Sequence, residues 1–241
     1  MRYAALDPST DGSAITIWED GKLENMLLFS KVQKWEKKFP NHVVTVPKVS
    51  KGNEQERVER LEFVSEQIVD FILSNDIEYL CMEDYAYNAG KTASQVQLAE
   101  FGGILRKDLY KHVKIRTHDP LSVKLYWTDS GKATKWEMFE SYIEEPVTCI
   151  DELLHDIVQT IHDDYYLKYF QKKPTKPTGH LMEGVVDSVA LASLMETELK
   201  FRTGEILLNI MNESTVRVFN RVTKNIPYCL IDRPFLYKDN Q

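Results

Sequence analysis

Cysteine is scarce in this chain, with only Cys81, Cys149 and Cys229 among 241 residues. Three widely spaced thiols fit neither a disulfide framework nor a cysteine-rich zinc site, so reduced thiols are expected. Long apolar runs are also lacking, and none reaches the roughly 20 residues that a bilayer-spanning helix needs. Met1 and Arg2 lead straight into Tyr3-Ala-Ala-Leu-Asp7 without a charged-then-apolar leader, which predicts a cytoplasmic location and no membrane partner. Basic charge is short as well: 30 Lys and Arg face 37 Asp and Glu, a formal net charge of −7. That balance lacks the overall basic footprint of nucleic-acid binders. Local basic stretches nevertheless stand at Arg106 to Arg116, Lys124 to Lys135 and Lys168 to Lys176.

What the chain does have is core material: a hydrophobic fraction of 43%, with four Trp and twelve Tyr, excludes a largely disordered protein. The order of elements follows from periodicity. Arg2 to Leu6 reads as a strand, and Ser13 to Glu19 and Lys22 to Phe29 as two more joined by the Asp20-Gly21 hairpin signal. Ser30 to Asn53 is irregular and broken by Pro40 and Pro47, so it is expected to be an insertion or loop. A long helix starts near Asn53, with Val58, Leu61, Val64, Ile68 and Ile72 at helical spacing. Ile77 to Met82 and Val113 to Thr117 read as strands, and Thr92 to Tyr110 and Thr134 to Ile143 as helices, the last capped by Thr134. Cys149 to Phe170 is expected to be helical, Gln171 to Gly179 a linker-like loop, and Met182 to Lys200 a helix. A meander followed by alternating strands and helices predicts an α/β fold, a mixed sheet flanked by helices.

Three acids stand out. Asp7 ends the first strand, where on its own it is most simply a turn-capping residue. Glu83 ends the apolar strand Tyr79-Leu-Cys-Met82, where a carboxylate is costly unless paired or bound to a cation. Asp187 lies among small and apolar residues in Glu183-Gly-Val-Val-Asp187-Ser-Val-Ala-Leu-Ala192, with Glu183 one turn earlier on the same face. Carboxylates are the hard ligands that Mg²⁺ or Mn²⁺ prefers, and clustered acids without a cation repel one another. Two such ions could activate a water for phosphodiester cleavage with no side-chain nucleophile.

This order of motifs resembles the RuvC family of Holliday-junction resolvases, within the RNase H-like superfamily. In that family an Asp ends the first strand, a Glu ends the fourth and an Asp lies in a late helix reading Asp-Ala-Leu-Ala-Leu-Ala or similar. Here these are Asp7, Glu83 and Asp187. The aromatic loop Tyr85-Ala-Tyr87-Asn-Ala-Gly-Lys91 and the helix containing Gln97-Leu-Ala-Glu-Phe-Gly-Gly103 follow Glu83 much as in the family. Pro120-Leu-Ser-Val-Lys124 through Gly131-Lys132-Ala-Thr-Lys135 is similar to its Val-Lys…Gly…Ala…Lys segment. A further family position, three residues before the helix Asp, is commonly an acid or His; here it is Gly184, with Glu183 or His180 as substitutes.

The resemblance implies an RNase H-like five-stranded mixed sheet within a nuclease domain over residues 1–200. Insertions would fall at about 30–53 and 144–179, and a C-terminal extension of unassigned role over 201–241. It implies a homodimer that nicks opposed strands of a four-way or otherwise branched DNA using Mg²⁺ or Mn²⁺, two ions per site. Asp7, Glu83, Asp187 and Glu183 would hold metal, and Lys135 would assist catalysis. Lys124, Lys132 and Lys135 would meet DNA phosphates, with Tyr85, Tyr87 and Lys91 as further DNA contacts. The insertions resemble those of divergent, phage-borne members, for which the location would be the host cytoplasm. Alternatives are an RNase H-type nuclease acting on RNA–DNA hybrids or flaps, and a junction-binding protein without catalysis. An actin-like ATPase shares the opening strand-Asp-loop-strand pattern, but the chain lacks a late Gly-rich nucleotide loop.

Overall fold

A computed structural model describes residues 1–84, 93–169, 172–224 and 226–238. Its centre is a six-stranded sheet: β1 (Arg2–Asp7), β2 (Ala14–Glu19), β3 (Lys22–Ser30), β4 (Val43–Thr45), β5 (Tyr79–Glu83) and β6 (Lys114–His118), in the order β4-β3-β2-β1-β5-β6. β1, β2 and β3 form an antiparallel meander, while β5 joins β1, β6 joins β5 and β4 joins β3 in parallel. This is the expected mixed sheet, an antiparallel meander followed by parallel strands. The turn between β2 and β3 has positive φ at both Asp20 (48°) and Gly21 (78°), the handedness that lets a two-residue loop follow the strand twist.

The sheet has six strands where five were expected, because the segment from 30 to 53 is not a plain loop. Gln33–Lys38 forms α1, whose Trp35 is buried, and Val43 to Thr45 then pairs with Leu28 to Ser30 at the sheet edge. One aromatic anchor outweighs the local Pro-rich composition.

Strand alternation sends successive side chains to opposite faces, and both faces are covered. Ala4, Leu6, Ile15, Ile17, Leu80 and Met82 pack against α2 (Glu54–Ser74) and α3 (Ala93–Leu109) through Leu61, Val64, Ile68, Ile72, Phe101 and Leu105. The opposite face, carrying Tyr3, Ala5, Ala14, Leu28 and Cys81, packs against α7 (Leu181–Thr203). Around α7 stand α4 (Pro120–Thr128), α5 (Lys135–Glu144), α6 (Glu152–Tyr169) and α8 (Glu213–Phe219). Asn53 caps α2 by accepting from the Glu56 amide. Val58 is solvent-exposed rather than part of the α2 core face.

α7 is buried along most of its length, and Leu191 and Leu194 are fully enclosed, each such side chain contributing about 1.5–3 kcal/mol. α4 was not expected from sequence. Its start is nevertheless well encoded, with Asp119 as N-cap accepting from Ser122 and Pro120 in the first turn. The three cysteines are free thiols. No described helix is long and apolar enough to cross a membrane.

Candidate active site

Leu6 and Met82 are register partners on the parallel strands β1 and β5, so the next residues, Asp7 and Glu83, leave the sheet at the same end. In a parallel pair that end opens into the crevice where ligands collect. The two carboxyls are close enough to act on each other's charge.

α7 brings the third acid. His180 is its N-cap, accepting from the Met182 amide through Nδ1 while Nε2 lies 2.9 Å from Asp164. His180 therefore shapes the helix start rather than joining the acids. From that start Gly184 faces the β1–β2 turn. A Cβ on Gly184 would stand 3.0 Å from Ala14 Cβ, 3.4 Å from the Gly12 carbonyl and 3.9 Å from Asp7 Oδ2. Only a residue without a side chain lets the helix come this close, which explains why no acid occupies position 184. One turn later on the same helix, Asp187 is 7% exposed.

Lys135, the first residue of α5, forms an ion pair with Asp187. The capping box of Thr134 and Glu137 fixes where α5 begins, and so where this lysine enters. Burial opposes the charge on the Lys135 ammonium, but attraction to Asp187 and Asp7 outweighs it and raises its pKa. Burial and the Asp187 charge push the Asp7 carboxyl up to about 7 against the pull of Lys135, with Glu183 adding a further upward push. Glu83 is raised well above the ordinary carboxylate range by burial and then by Asp7 and Asp187, with Lys135 and Lys124 opposing. The four groups thus sense one another, and negative charge is in excess over the single buried ammonium.

Glu183 is 8% exposed and held by a different set of groups. It accepts from the Thr178 amide at 2.9 and 3.0 Å, from the Thr178 hydroxyl at 2.8 Å and from the Tyr165 hydroxyl at 3.4 Å. Glutamate at the third helical position commonly reaches back over the helix start, and Glu183 stands at that position after the N-cap His180. Lys124 lies on α4, near enough to act on Glu83, whereas Lys132 is exposed on the loop between α4 and α5. Tyr85, Tyr87 and Lys91 lie outside the described residues.

Among the described residues, no three His, Cys, Asp or Glu side chains stand in the geometry of a preformed metal site. The donor chemistry of Asp7, Glu83 and Asp187 still fits a hard divalent cation: all three offer carboxylate oxygen. Burial first, and the neighbouring acids second, raise the proton affinity of Asp7 and Glu83, and a cation bound there would offset both.

No protein-family profile matches this sequence, and no curated protein matches it. Among solved structures, similarity is found to RuvC from Thermus thermophilus at 16% identity, covering 82% of this chain and 96% of that one, with a TM-score of 0.45. The same enzyme in complex with Holliday junction substrate gives 12% identity, coverage of 82% and 96%, and a TM-score of 0.46. The fowlpox virus Holliday junction resolvase gives 12% identity, coverage of 82% and 99%, and a TM-score of 0.39.

Proposed function

We propose that this chain is a metal-dependent endonuclease that cuts four-way or otherwise branched DNA, working as a homodimer that nicks opposed strands. The observation that carries this reading is the mutual influence of Asp7, Glu83 and Asp187, delivered by β1, β5 and α7, around the ammonium of Lys135. Asp7, Glu83 and Asp187 would hold Mg²⁺ or Mn²⁺, with Glu183 steadying the helix start that presents Asp187. Bound there, one or two such ions supply an activated water and stabilise the leaving oxygen.

The protein's own groups do the rest. Lys135 holds Asp187 in place and offers positive charge where a phosphate would enter. Lys124 extends that charge across α4, and Lys132 extends it onto the loop before α5, both contacting backbone without reading sequence. Tyr85, Tyr87 and Lys91 would meet the DNA from the loop after Glu83. In this reading residues 1–200 form the nuclease domain, acting in the cytoplasm of a cell or of a phage's host.

The deciding assay is cleavage of labelled four-way junctions, flaps and RNA–DNA hybrids with Mg²⁺, Mn²⁺ or EDTA. Paired nicks in the junction are expected with either metal and none with EDTA. Asp7→Asn and Asp187→Asn proteins should bind the junction and leave it whole; continued cutting by either variant would overturn the assignment. Cutting confined to hybrids or flaps would replace the substrate, and binding without cutting by the wild type would replace the activity.

A further inference from the structure

At the same end of the sheet as Asp7 and Glu83, but on the side of β6 and the C-terminal segment, lies a cavity of about 720 Å³. That size is within the range of pockets that enclose small ligands. Asp84, the residue after Glu83, lines it, as does His118, the register partner of Glu83 on β6. Its outer wall is built by residues of the stretches 218–224 and 226–233 in the C-terminal segment.

The two sides of this cavity differ in chemistry. Val218, Ile226, Leu230 and the ring of Tyr228 supply an apolar wall, with Tyr228 60% exposed. Arg221, Lys224 and Arg233 supply cations. Arg221 is engaged, donating to Asp119 at 3.1 Å and to the Ser122 hydroxyl at 2.8 Å, so the Asp119 charge is answered. Asp84 lies 3.4 Å from Arg106.

Arg233 is different. Its backbone carbonyl accepts from Arg116 and Arg202 at 2.7 Å each, which fixes the chain at this point. Its side-chain Nε is nevertheless buried without a hydrogen-bond partner among the described residues. Burial and the neighbouring Arg116 both disfavour its charge. The Nε2 of His118 is likewise buried without a hydrogen-bond partner among the described residues. The Arg233 Nε is a donor by its chemistry, and a buried donor left unsatisfied beside a roomy cavity calls for an acceptor with negative charge.

We infer that this cavity receives one nucleotide of a single-stranded segment of the DNA substrate, its phosphate against Arg233 and Lys224 and its base on the Tyr228 ring. The identity of the strand as DNA rests on the proposed function; the nucleotide chemistry rests on the cavity. The C-terminal segment is then a substrate-holding wall that places an unpaired nucleotide next to the acid centre. Aromatic stacking tolerates any base, and the cations track the backbone.

The test uses the full chain and two probes, a pentanucleotide of single-stranded DNA carrying 2-aminopurine and a deoxynucleoside monophosphate. Binding of the pentanucleotide with quenching of 2-aminopurine is expected. Tyr228→Ala should weaken it about 5- to 150-fold and remove the quench. Lys224→Gln combined with Arg233→Gln should weaken it and lower the salt slope by about 0.7, the value for one phosphate contact on a single strand. Lys224 and Tyr228 are exposed, so Lys224→Gln with Tyr228→Ala gives a variant whose folding is not in question.

Equal affinity in wild type and variants, or no binding of either probe, overturns the inference. Binding of the mononucleotide as tightly as the pentanucleotide overturns the assignment to a strand. Junction cleavage by the wild type is measured in parallel: its absence with pocket-dependent oligonucleotide binding sinks the nuclease reading alone. Cleavage together with unchanged oligonucleotide binding in the variants sinks the cavity alone.

Discussion

Asp187 and Glu198 stand about 16 Å apart along α7 and both are buried, yet their surroundings are opposite. Glu198 meets permanent cations: Arg116 donates from Nε at 3.0 and 3.1 Å and from Nη2 at 2.7 Å, and Arg202 donates at 2.9 Å. The spare guanidinium donors go to the carbonyls of Arg233, Pro234 and Leu230. Asp187 instead has one lysine and two neighbouring acids. The contrast separates a buried charge that is fully answered, and so ties β6, α7 and the C-terminal segment together, from one left short of positive charge, and so ready to take up more.

The comparison breaks most visibly at Glu198. Glu198→Ala leaves two guanidiniums without their carboxylate and should cost about 3–5 kcal/mol, measurable by urea unfolding. Asp187→Asn is expected to do the reverse, folding normally while junction nicking is lost, a fall of at least about 1000-fold read from single-turnover cleavage. If the two variants exchanged these phenotypes, the distinction drawn between the ends of α7 would be wrong.

Smaller effects sharpen it. Gly184→Ala would force α7 away from Ala14 and Gly12, at about 1–3 kcal/mol, with nicking reduced because Asp187 moves with the helix; thermal unfolding and the cleavage assay report both. The smallest effect expected is one of pH. The Asp7 carboxyl is raised from 3.8 to about 7, so between those values the native protein binds the proton more tightly than the unfolded chain. Its contribution is therefore most favourable at acid pH and is lost as pH rises through about 7. In chelator, Asp7→Asn should flatten this dependence and raise the melting temperature at pH 8 by a few degrees relative to wild type. Equal pH profiles would show that Asp7 is not crowded by the other acids.

The meander, the two central parallel strands and the long helices were readable from the sequence because each carries its own periodicity and end signals. Asn53 and Thr134 cap helices as their positions suggest. The acids at 7, 83 and 187 were legible because each interrupts an apolar stretch. Other features depend on contacts distant in sequence. β4 exists because Trp35 is buried, against a composition that reads as loop. α4 is a short helix whose periodicity is weak, and its only strong local mark is the Asp119 cap followed by Pro120. Glu183 reads in the sequence as a metal ligand, and only the position of Thr178 shows which hydrogen bonds it makes. The Arg116–Glu198 pair joins residues that no local pattern connects.

β6 closes one side of the sheet, and the segment near the C-terminus crosses it in a single antiparallel bridge, Leu236 to Ile115, with amide-to-carbonyl bonds of 2.9 Å in both directions. A bare strand margin invites pairing with another polypeptide, and a short cover of this kind is one way folded proteins suppress it. Removing residues 234–241 would uncover that margin together with one of the carbonyls that satisfy Arg116. The shortened protein would then be prone to stick to itself through β6.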